Sequence, residues 1–320
     1  MPGALEGLRV LDLTRLLPGA VATEWLAEFG AEVIKIEQPP MGDYARASYT
    51  ALFEETNRRK KSVELDLKSQ KESFLKLVRS SDVVIEGFRP GVMERLGLGY
   101  DVLREINPRL IYVALTGYGS EGPHALLAGH DVNYLAMSGV LDLIRADDGT
   151  PVIPGVQIAD LAGGSMQAVI GILLAMEARH KSGEGQRIDI SMTGGLNVLL
   201  PVARAKGPVK LLSGSYACYR VYAAAGDSHV AVGALEPKFW ANLCKELGCT
   251  ELIEKQFTAD QSGVIAALAG KFKAATAEEW FERIGTLDCC VTPVRMAAHG
   301  AAPQPQSRAP RLGEHNEDYL

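Results

Sequence analysis

The first 200 residues alternate short apolar runs with helical patterns, and this order constrains the fold more than any other feature. Short runs rich in strand formers predict strands, whereas apolar residues spaced three and four apart predict helices. Such alternation is typical of a parallel sheet covered on both faces, in the Rossmann-like manner. We predict strands at 8–13, 32–36, 82–85, 110–115 and 187–191, and helices at 20–29, 70–79, 101–106, 131–143 and 161–180.

The second half of the chain has a different pattern. Two strand-like runs, 219–223 and 229–232, flank Gly226 and Asp227, and this arrangement predicts a β-hairpin. Helical patterns follow at 236–247 and 277–284, and a last strand-like run lies at 291–294. We therefore expect an α/β protein with a large Rossmann-like domain and a smaller α+β domain. The expected boundaries are 1–200 with 297–320 for the large domain, 201–214 for a connector, 215–296 for the small domain and 301–311 for an extended tail.

Composition excludes several classes of protein. Hydrophobic residues make up 47% and charged residues 22% of the 320 residues, as in globular proteins and unlike disordered chains. The net charge of −6 provides no overall attraction for nucleic acid, so we expect no nucleic-acid partner. The first residues lack the pattern of a signal peptide, and the longest apolar stretch, 168–176, is too short to span a bilayer. We therefore expect a cytoplasmic protein with no membrane partner.

The cysteines support the same interpretation. All five lie in the second half of the chain, and none forms a C-x-x-C pair. An odd number without metal-ligand spacing predicts reduced thiols, with neither a disulfide framework nor a zinc site. They are Cys218, Cys244, Cys249, Cys289 and Cys290.

One glycine-rich segment imitates a dinucleotide-binding loop. Residues 117–122 read Gly-Tyr-Gly-Ser-Glu-Gly and follow a predicted strand. In a functional loop of this kind the next residues open a helix, and an acidic residue ends the next strand. The residues after Gly122 do not open a periodic helix, so we interpret the segment as a glycine-rich turn.

A basic cluster occupies residues 57–62, Asn-Arg-Arg-Lys-Lys-Ser, and Arg89 and Arg95 follow later. A solvated loop is one interpretation, because runs of charge are usually exposed. The other is a site for a polyphosphate such as the ADP part of coenzyme A. The spacing alone leaves both interpretations open.

Two predicted helices begin beside ionisable residues. His130 and Asp131 precede one helix, and Asp160 precedes the next. The free N–H groups of a helix start favour a carboxylate and disfavour a charged imidazole, so His130 would act there as a neutral base. Ordinary N-capping by Asp131 and Asp160 explains the same residues without any chemistry.

Several stretches in one order resemble the family III CoA-transferase superfamily, which includes carnitine–CoA and formyl-CoA transferases and α-methylacyl-CoA racemases. The resemblance runs nearly end to end. Two stretches are similar to the racemase branch in particular, Gly-His-Asp-Val-Asn-Tyr at 129–134 and Val-Gly-Ala-Leu-Glu-Pro at 232–237. The others are 5–12, 30–37, 57–62, 86–91, 292–294 and 310–315.

The resemblance implies an acyl-CoA enzyme that is an interlocked homodimer, in which coenzyme A is part of the substrate and no prosthetic group or metal is needed. In the racemase branch, the residues matching His130 and Asp160 are the two bases, and the residue matching Glu236 supports them. His130 would then remove the α-proton of a 2-methylacyl-CoA from one face, and Asp160 would return a proton to the other. The implied phosphate contacts are Lys60, Arg89 and Arg95, in the large CoA-binding domain.

Two other functions remain open. In the transferase branch, the carboxylate matching Asp160 is a nucleophile that forms covalent intermediates. A CoA-binding protein without catalysis is the third possibility. It is suggested by two departures from the family pattern: Gln38 where an Arg at the adenine end of coenzyme A is usual, and a short connector after Leu200. Cys218 stands where racemases tend to have Asp, and we expect both Cys218 and the connector to lie near the acyl group, which leaves the acyl specificity open.

Overall fold

The structure is a computed structural model that describes residues 3–146, 148–205, 210–297 and 308–320. The chain divides after Leu200 into two compact units, and the C-terminal residues 308–320 return to the first. The predicted connector and extended tail lie partly outside the described residues.

Six parallel strands form the sheet of the first unit, among the residues described. Their order is β3-β2-β1-β4-β5-β6, so the direction of winding reverses between β1 and β4. The Rossmann-like parallel sheet is therefore confirmed, whereas β3 was missed because its residues were interpreted only as a basic cluster. The strands are β1 Arg9–Leu13, β2 Glu32–Glu37, β3 Lys61–Glu64, β4 Val83–Glu86, β5 Ile111–Thr116 and β6 Arg187–Ser191.

Helices and helical turns connect these strands. The predicted helix at 131–143 ends early, because Gly139 adopts a φ of +85° that terminates it. The helix predicted from residue 161 begins with a π-helical turn at Ala159–Ser165. The helices are α1 Leu17–Glu28, α2 Ala45–Ser48, α3 Thr50–Asn57, α4 Lys71–Arg79, α5 Val92–Arg95, α6 Tyr100–Ile106, α7 Asp131–Ser138, α8 Met166–Ser182 and α9 Met192–Gly195, with short 3₁₀ turns at Leu141–Leu143 and Leu196–Leu199 and a last turn at Asn316–Tyr319.

Apolar side chains cover both faces of the sheet. Because successive strand residues point to opposite faces, Val10 and Leu11 belong to different core clusters. One cluster packs α1 and α8 against the sheet, and the other packs α4 and α6 against the opposite face. Both faces are thus closed, and the edge where the strands end remains available for a ligand.

The helical segment Ala159–Ser182 is long and apolar enough to cross a membrane by length and composition. The apolar stretch 168–176, which was predicted to be too short to span a bilayer, is part of this longer segment. In the structure, Ala168 and Ile172 are fully buried in the core, and Arg179 pairs with Asp82 at 3.1 Å. One face of the segment therefore packs into the core of the first unit.

The second unit contains a small antiparallel sheet, β7-β8-β9. Its helices pack around a separate core that includes Trp240 and Phe272. The predicted hairpin and last strand are confirmed, whereas the helix at Ser262–Phe272 was not predicted. The elements are α10 Pro201–Arg204, β7 Tyr219–Ala223, β8 His229–Gly233, α11 Pro237–Glu246, α12 Ser262–Phe272, α13 Ala277–Ile284 and β9 Val291–Pro293, with a 3₁₀ turn at Thr250–Lys255.

Candidate functional site

A cavity of about 380 Å³ lies beyond the carboxyl ends of β1, β2 and β3. Ligands of open α/β sheets bind at this edge, where the strand order reverses. The cavity is mainly apolar, and Arg15 and Lys68 add two cations. We call it the Gln38 cavity; its lining is Leu13, Arg15, Ile36, Gln38, Leu65, Leu67, Lys68, Phe88, Val92 and Leu96.

A second cavity, of about 330 Å³, lies beyond β4 and β5, and we call it the His130 cavity. Phe88 lines both cavities, so they adjoin each other at this ring. The His130 cavity is more polar than the Gln38 cavity. Arg89 contributes a cation to it, and His130 contributes an imidazole that can transfer a proton. Its lining is Gly87, Phe88, Arg89, Pro90, Leu115, Thr116, Gly117, Tyr118, Ala125, Leu127, Ala128, Gly129, His130, Tyr134 and Met192.

One hydrogen bond joins the two helix starts singled out in the sequence. Oδ1 of Asp131 accepts the backbone N–H of Asp160 at 2.9 Å, across 29 residues of chain. His130, next to Asp131, is the N-cap of α7 and is exposed, and its N–H donates to the Asn133 side chain at 3.0 Å. The structure thus brings the turns of His130 and Asp160 together.

The turn that carries Asp160 is fixed by close packing. The Ser165 hydroxyl donates to the Pro18 carbonyl at 2.6 Å, which ties the π-helical turn to α1. A Cβ on Gly163 would lie 2.2 Å from the carbonyl oxygen of Met192, so only glycine permits this contact with α9. π-Helical turns are rare and occur often at functional sites.

Burial, followed by repulsion from the Asp131 carboxylate, raises the pKa of Asp160 to about 7. Burial also raises the pKa of Tyr134 to about 12, with the charges of Asp160, Tyr118 and Asp131 as further causes. The Tyr134 hydroxyl donates to the Gly129 carbonyl, and its ring packs edge-on against Tyr118 at 5.1 Å. A carboxyl with a pKa near 7 can both give and take a proton at neutral pH.

The basic cluster is mostly buried, which contradicts the solvated-loop interpretation. Lys60 Nζ is fully buried and donates to Asp12 at 3.1 Å, and to the Ala20 carbonyl and Asn57 Oδ1 at 2.9 Å each. Its three N–H groups are thus used within the first unit. The expectation that Lys60 holds a phosphate of coenzyme A is corrected on this ground.

The other expected contacts of coenzyme A lie near the strand ends. Arg89 is exposed and lines the His130 cavity, and Arg95 is exposed at the end of α5. Gln38 lines the cavity named after it, and its side-chain amide donates to Asp66 at 3.0 Å. Arg15 was missed although it lies just after the predicted strand β1. Lys68 was missed because β3, which precedes it, was not predicted.

Two of the remaining residues lie in the second unit. Glu236 is exposed and is the N-cap of α11. Cys218 is fully buried in the core of this unit, and burial raises the pKa of its thiol. The expectation that Cys218 lies beside the acyl group is therefore wrong, because a side chain enclosed in a core has no surface for a ligand.

A buried carboxyl at the end of β4 also escaped the sequence analysis. Glu86 accepts the Phe88 N–H at 2.7 Å and the Tyr112 hydroxyl at 3.1 Å, and burial raises its pKa to about 7. It lines a small cavity of about 190 Å³ with Arg89 and Glu121. Its position on an apolar strand gave no sign of this environment.

The chain is similar to known proteins along most of its length. The model of CoA-transferase family III matches residues 5–317. The chain is 38% identical to the α-methylacyl-CoA racemase of Homo sapiens over 304 residues, covering 91% of this chain and 78% of that protein. It is 35% identical to the acetyl-CoA:oxalate CoA-transferase of Acetobacter aceti over 331 residues, covering 96% and 84%.

Two solved structures also match the chain along almost its whole length. The crystal structure of Rv3272 from M. tuberculosis matches with a TM-score of 0.82 and 30% identity, covering 100% of this chain and 99% of the other. A CaiB/BaiF family protein from Brucella suis matches with a TM-score of 0.83 and 26% identity, covering 99% and 98%. On the family match and these relatives, the chain belongs to CoA-transferase family III.

Proposed function

We propose that the protein racemises or epimerises 2-methylacyl-CoA thioesters by moving the α-proton between two bases, His130 and Asp160. The observation that carries this proposal is the hydrogen bond from the Asp160 N–H to Asp131, which joins the turns of the two bases. The racemases among the relatives support the same reaction.

The chemistry requires the thioester. A thioester carbonyl acidifies its α-carbon, whereas a free carboxylate does not. One base takes the α-proton and leaves a planar enolate, and the other base gives its proton to the opposite face. Because burial raises its pKa to about 7, Asp160 can serve as a proton donor or as a proton acceptor at neutral pH. Free N–H groups at the start of α7 would stabilise the enolate oxygen.

The two adjoining cavities provide a path for the substrate. We propose that the adenosine end of coenzyme A occupies the apolar Gln38 cavity, with Arg15 and Lys68 near its phosphates. The chain then passes Phe88 and brings the thioester into the His130 cavity, where Arg89 adds a further cation. Binding energy from the remote adenosine end would thereby position the α-carbon between the bases.

Glu236 and a second copy of the chain complete the proposal. We retain Glu236 as the group that orients His130 or balances its charge, and we propose a homodimer. The support for a dimer is an apolar face on α8, where Ile170, Leu173 and Leu174 are 50%, 43% and 65% exposed. A large exposed apolar patch of this kind marks an interaction surface. Sedimentation of a Leu174→Lys variant tests it: a dimer that persists unchanged would argue against this face.

A second candidate is CoA transfer, with Asp160 as nucleophile. The transferases among the relatives favour it. The Asp160 carboxylate would attack the thioester carbonyl, and coenzyme A would leave as a thiolate. The presence of His130 in the cavity argues against it, because transfer through Asp160 alone leaves this imidazole without a role.

Exchange of the α-proton in D₂O distinguishes the two reactions. The purified full chain would be incubated with (R)- and (S)-2-methylacyl-CoA, and deuterium at the α-carbon would be followed by mass spectrometry. Incorporation from both enantiomers supports racemisation. A hydroxylamine-trapped acyl-enzyme without exchange supports transfer, and tight binding of acyl-CoA with neither result supports a CoA-binding protein.

A further inference from the structure

Asp131 occupies an unusual position between the two proposed bases. It is the first residue of α7, directly after His130, and its side chain is the acceptor for the backbone of Asp160. An acid in the first turn of a helix normally interacts with the N–H groups of that helix. Here one oxygen of the carboxylate instead binds an N–H of another turn, so the side chain links two elements.

The surroundings of Asp160 leave Asp131 as its main charged neighbour. The π-helical turn packs against α1, α7, α8, α9, β6 and the 3₁₀ turn at Leu196–Leu199. The last turn and α9 contain no ionisable side chain. α7 presents Asp131 and Tyr134, with His130 at its N-cap. The ionisable groups of the other elements are paired with one another or lie at the far end of α8: Glu24 and Glu28 with Arg59, Arg187 with Asp189, Arg179 with Asp82, and Glu177 with His180 and Lys181.

We infer that Asp131 is a positioning residue, whose carboxylate holds the Asp160 turn against the helix of His130 and keeps Asp160 beside a fixed negative charge. This inference rests on the proposed function. Asp131 acts through Asp160, and the neutral, protonated form of Asp160 is favoured because two carboxylates at one place repel each other. The arrangement thus provides a proton donor at neutral pH as well as a base.

Two substitutions separate the hydrogen bond from the charge. Asp131→Asn keeps an oxygen that can accept the Asp160 N–H but removes the charge, whereas Asp131→Ala removes both. In Asp131→Asn we expect the pKa of Asp160 to fall by about one unit, the scale of one nearby charge at a partly buried site. We expect kcat for α-proton exchange to fall by more than tenfold in Asp131→Ala with little change in KM, because the turn is no longer held in place.

The pKa of Asp160 would be measured directly, by ¹³C NMR of the full chain labelled at aspartate carboxyls, with Asp160→Asn to identify the signal. The matched control is Asp101→Asn, because Asp101 is also an acid in the first turn of a helix but is exposed. It should leave both the pKa of Asp160 and the exchange rate unchanged.

The outcomes separate this inference from the proposed function. A lowered pKa of Asp160 in Asp131→Asn, with the acidic limb of the pH–rate profile displaced equally, supports both. The same NMR shift in a protein without exchange activity supports the link between Asp131 and Asp160 and overturns the proposed reaction. An unchanged Asp160 titration in Asp131→Asn overturns the inference, even if Asp131→Ala fails to fold.

Discussion

An N–H of the Lys60 ammonium group donates a hydrogen bond to the carboxylate of Asp12 at 3.1 Å, and both side chains are fully buried. Asp12 also accepts hydrogen bonds from the hydroxyls of Thr14 and Thr23, at 2.5 and 2.7 Å. The neighbouring Lys35 pairs with Asp43 at 2.9 Å. The basic segment is therefore anchored inside the first unit by a buried ion pair.

Lys60→Met should destabilise the fold by about 3 kcal/mol, because it leaves the Asp12 charge buried with fewer partners. Chemical denaturation would measure the free energy of unfolding. Lys61→Met is the control, because Lys61 is 42% exposed on its side chain and its pair with Glu32 should be worth less than about 1 kcal/mol. Equal losses in the two variants would contradict the account.

Glu86 should make stability depend on pH. In the unfolded state the Glu86 carboxyl ionises above its ordinary pKa of 4.5, whereas in the folded state burial keeps this carboxyl protonated up to about pH 7. The folded state binds the proton more tightly, so the contribution of Glu86 is greatest at low pH and is lost as pH rises from 4.5 to 7.

Glu86→Gln removes this dependence. Relative to the wild type, it should gain up to about 3 kcal/mol between pH 4.5 and pH 8, measured by denaturation at several pH values. Glu121→Gln, which replaces an exposed neighbour in the same cavity, should change stability by less than about 0.5 kcal/mol, as surface substitutions usually do. A pH-independent difference for Glu86→Gln would show that burial does not raise the pKa of Glu86 in the folded protein.

Gly163→Ala should displace the Asp160 turn, because the new methyl group would meet the Met192 carbonyl oxygen at 2.2 Å. We expect a loss of about 1–3 kcal/mol in stability and at least a tenfold loss of exchange activity. Gly270→Ala in α12 is the control, since its Cβ meets nothing within 4 Å, and it should leave stability unchanged or slightly higher. A fully active Gly163→Ala would contradict the packing argument.

Arg15→Ala tests the Gln38 cavity as the site of coenzyme A. The Arg15 guanidinium packs over the rings of Tyr44 and Phe88 at 4.9 and 5.6 Å and donates to the Tyr44 hydroxyl at 2.8 Å. We expect Kd for coenzyme A, from calorimetry, to rise about tenfold, the scale of one charge-assisted contact. Arg104→Ala, which removes an exposed cation paired with Glu184, should leave Kd unchanged. Identical Kd values in the two variants would place the ligand elsewhere.

The periodicity of the sequence predicted five of the six strands of the first sheet, since buried strands and amphipathic helices differ in their apolar spacing. It missed Lys61–Glu64 because a strand that begins with lysine resembles an exposed loop. The periodicity did not predict the burial of Lys60 either, because this burial depends on an acceptor, Asp12, that lies 48 residues away in the chain.

The candidate site was only partly visible in the sequence. His130 and Asp160 were identified through helix starts, which are local features, and through a family resemblance that runs along the whole chain. The link through Asp131 depends on the packing of two turns 29 residues apart, and spacing alone does not predict which carboxylate faces which N–H.

The most direct test of the two-base account is the stereochemistry of exchange in base variants. Rates of α-proton exchange in D₂O would be measured for (R)- and (S)-2-methylacyl-CoA with the wild type, His130→Ala and Asp160→Asn. Because each base serves one face, His130→Ala should slow exchange of one enantiomer by about 100-fold or more relative to the other, and Asp160→Asn should show the opposite preference. Equal effects on both enantiomers in both variants would contradict a mechanism with one base on each face.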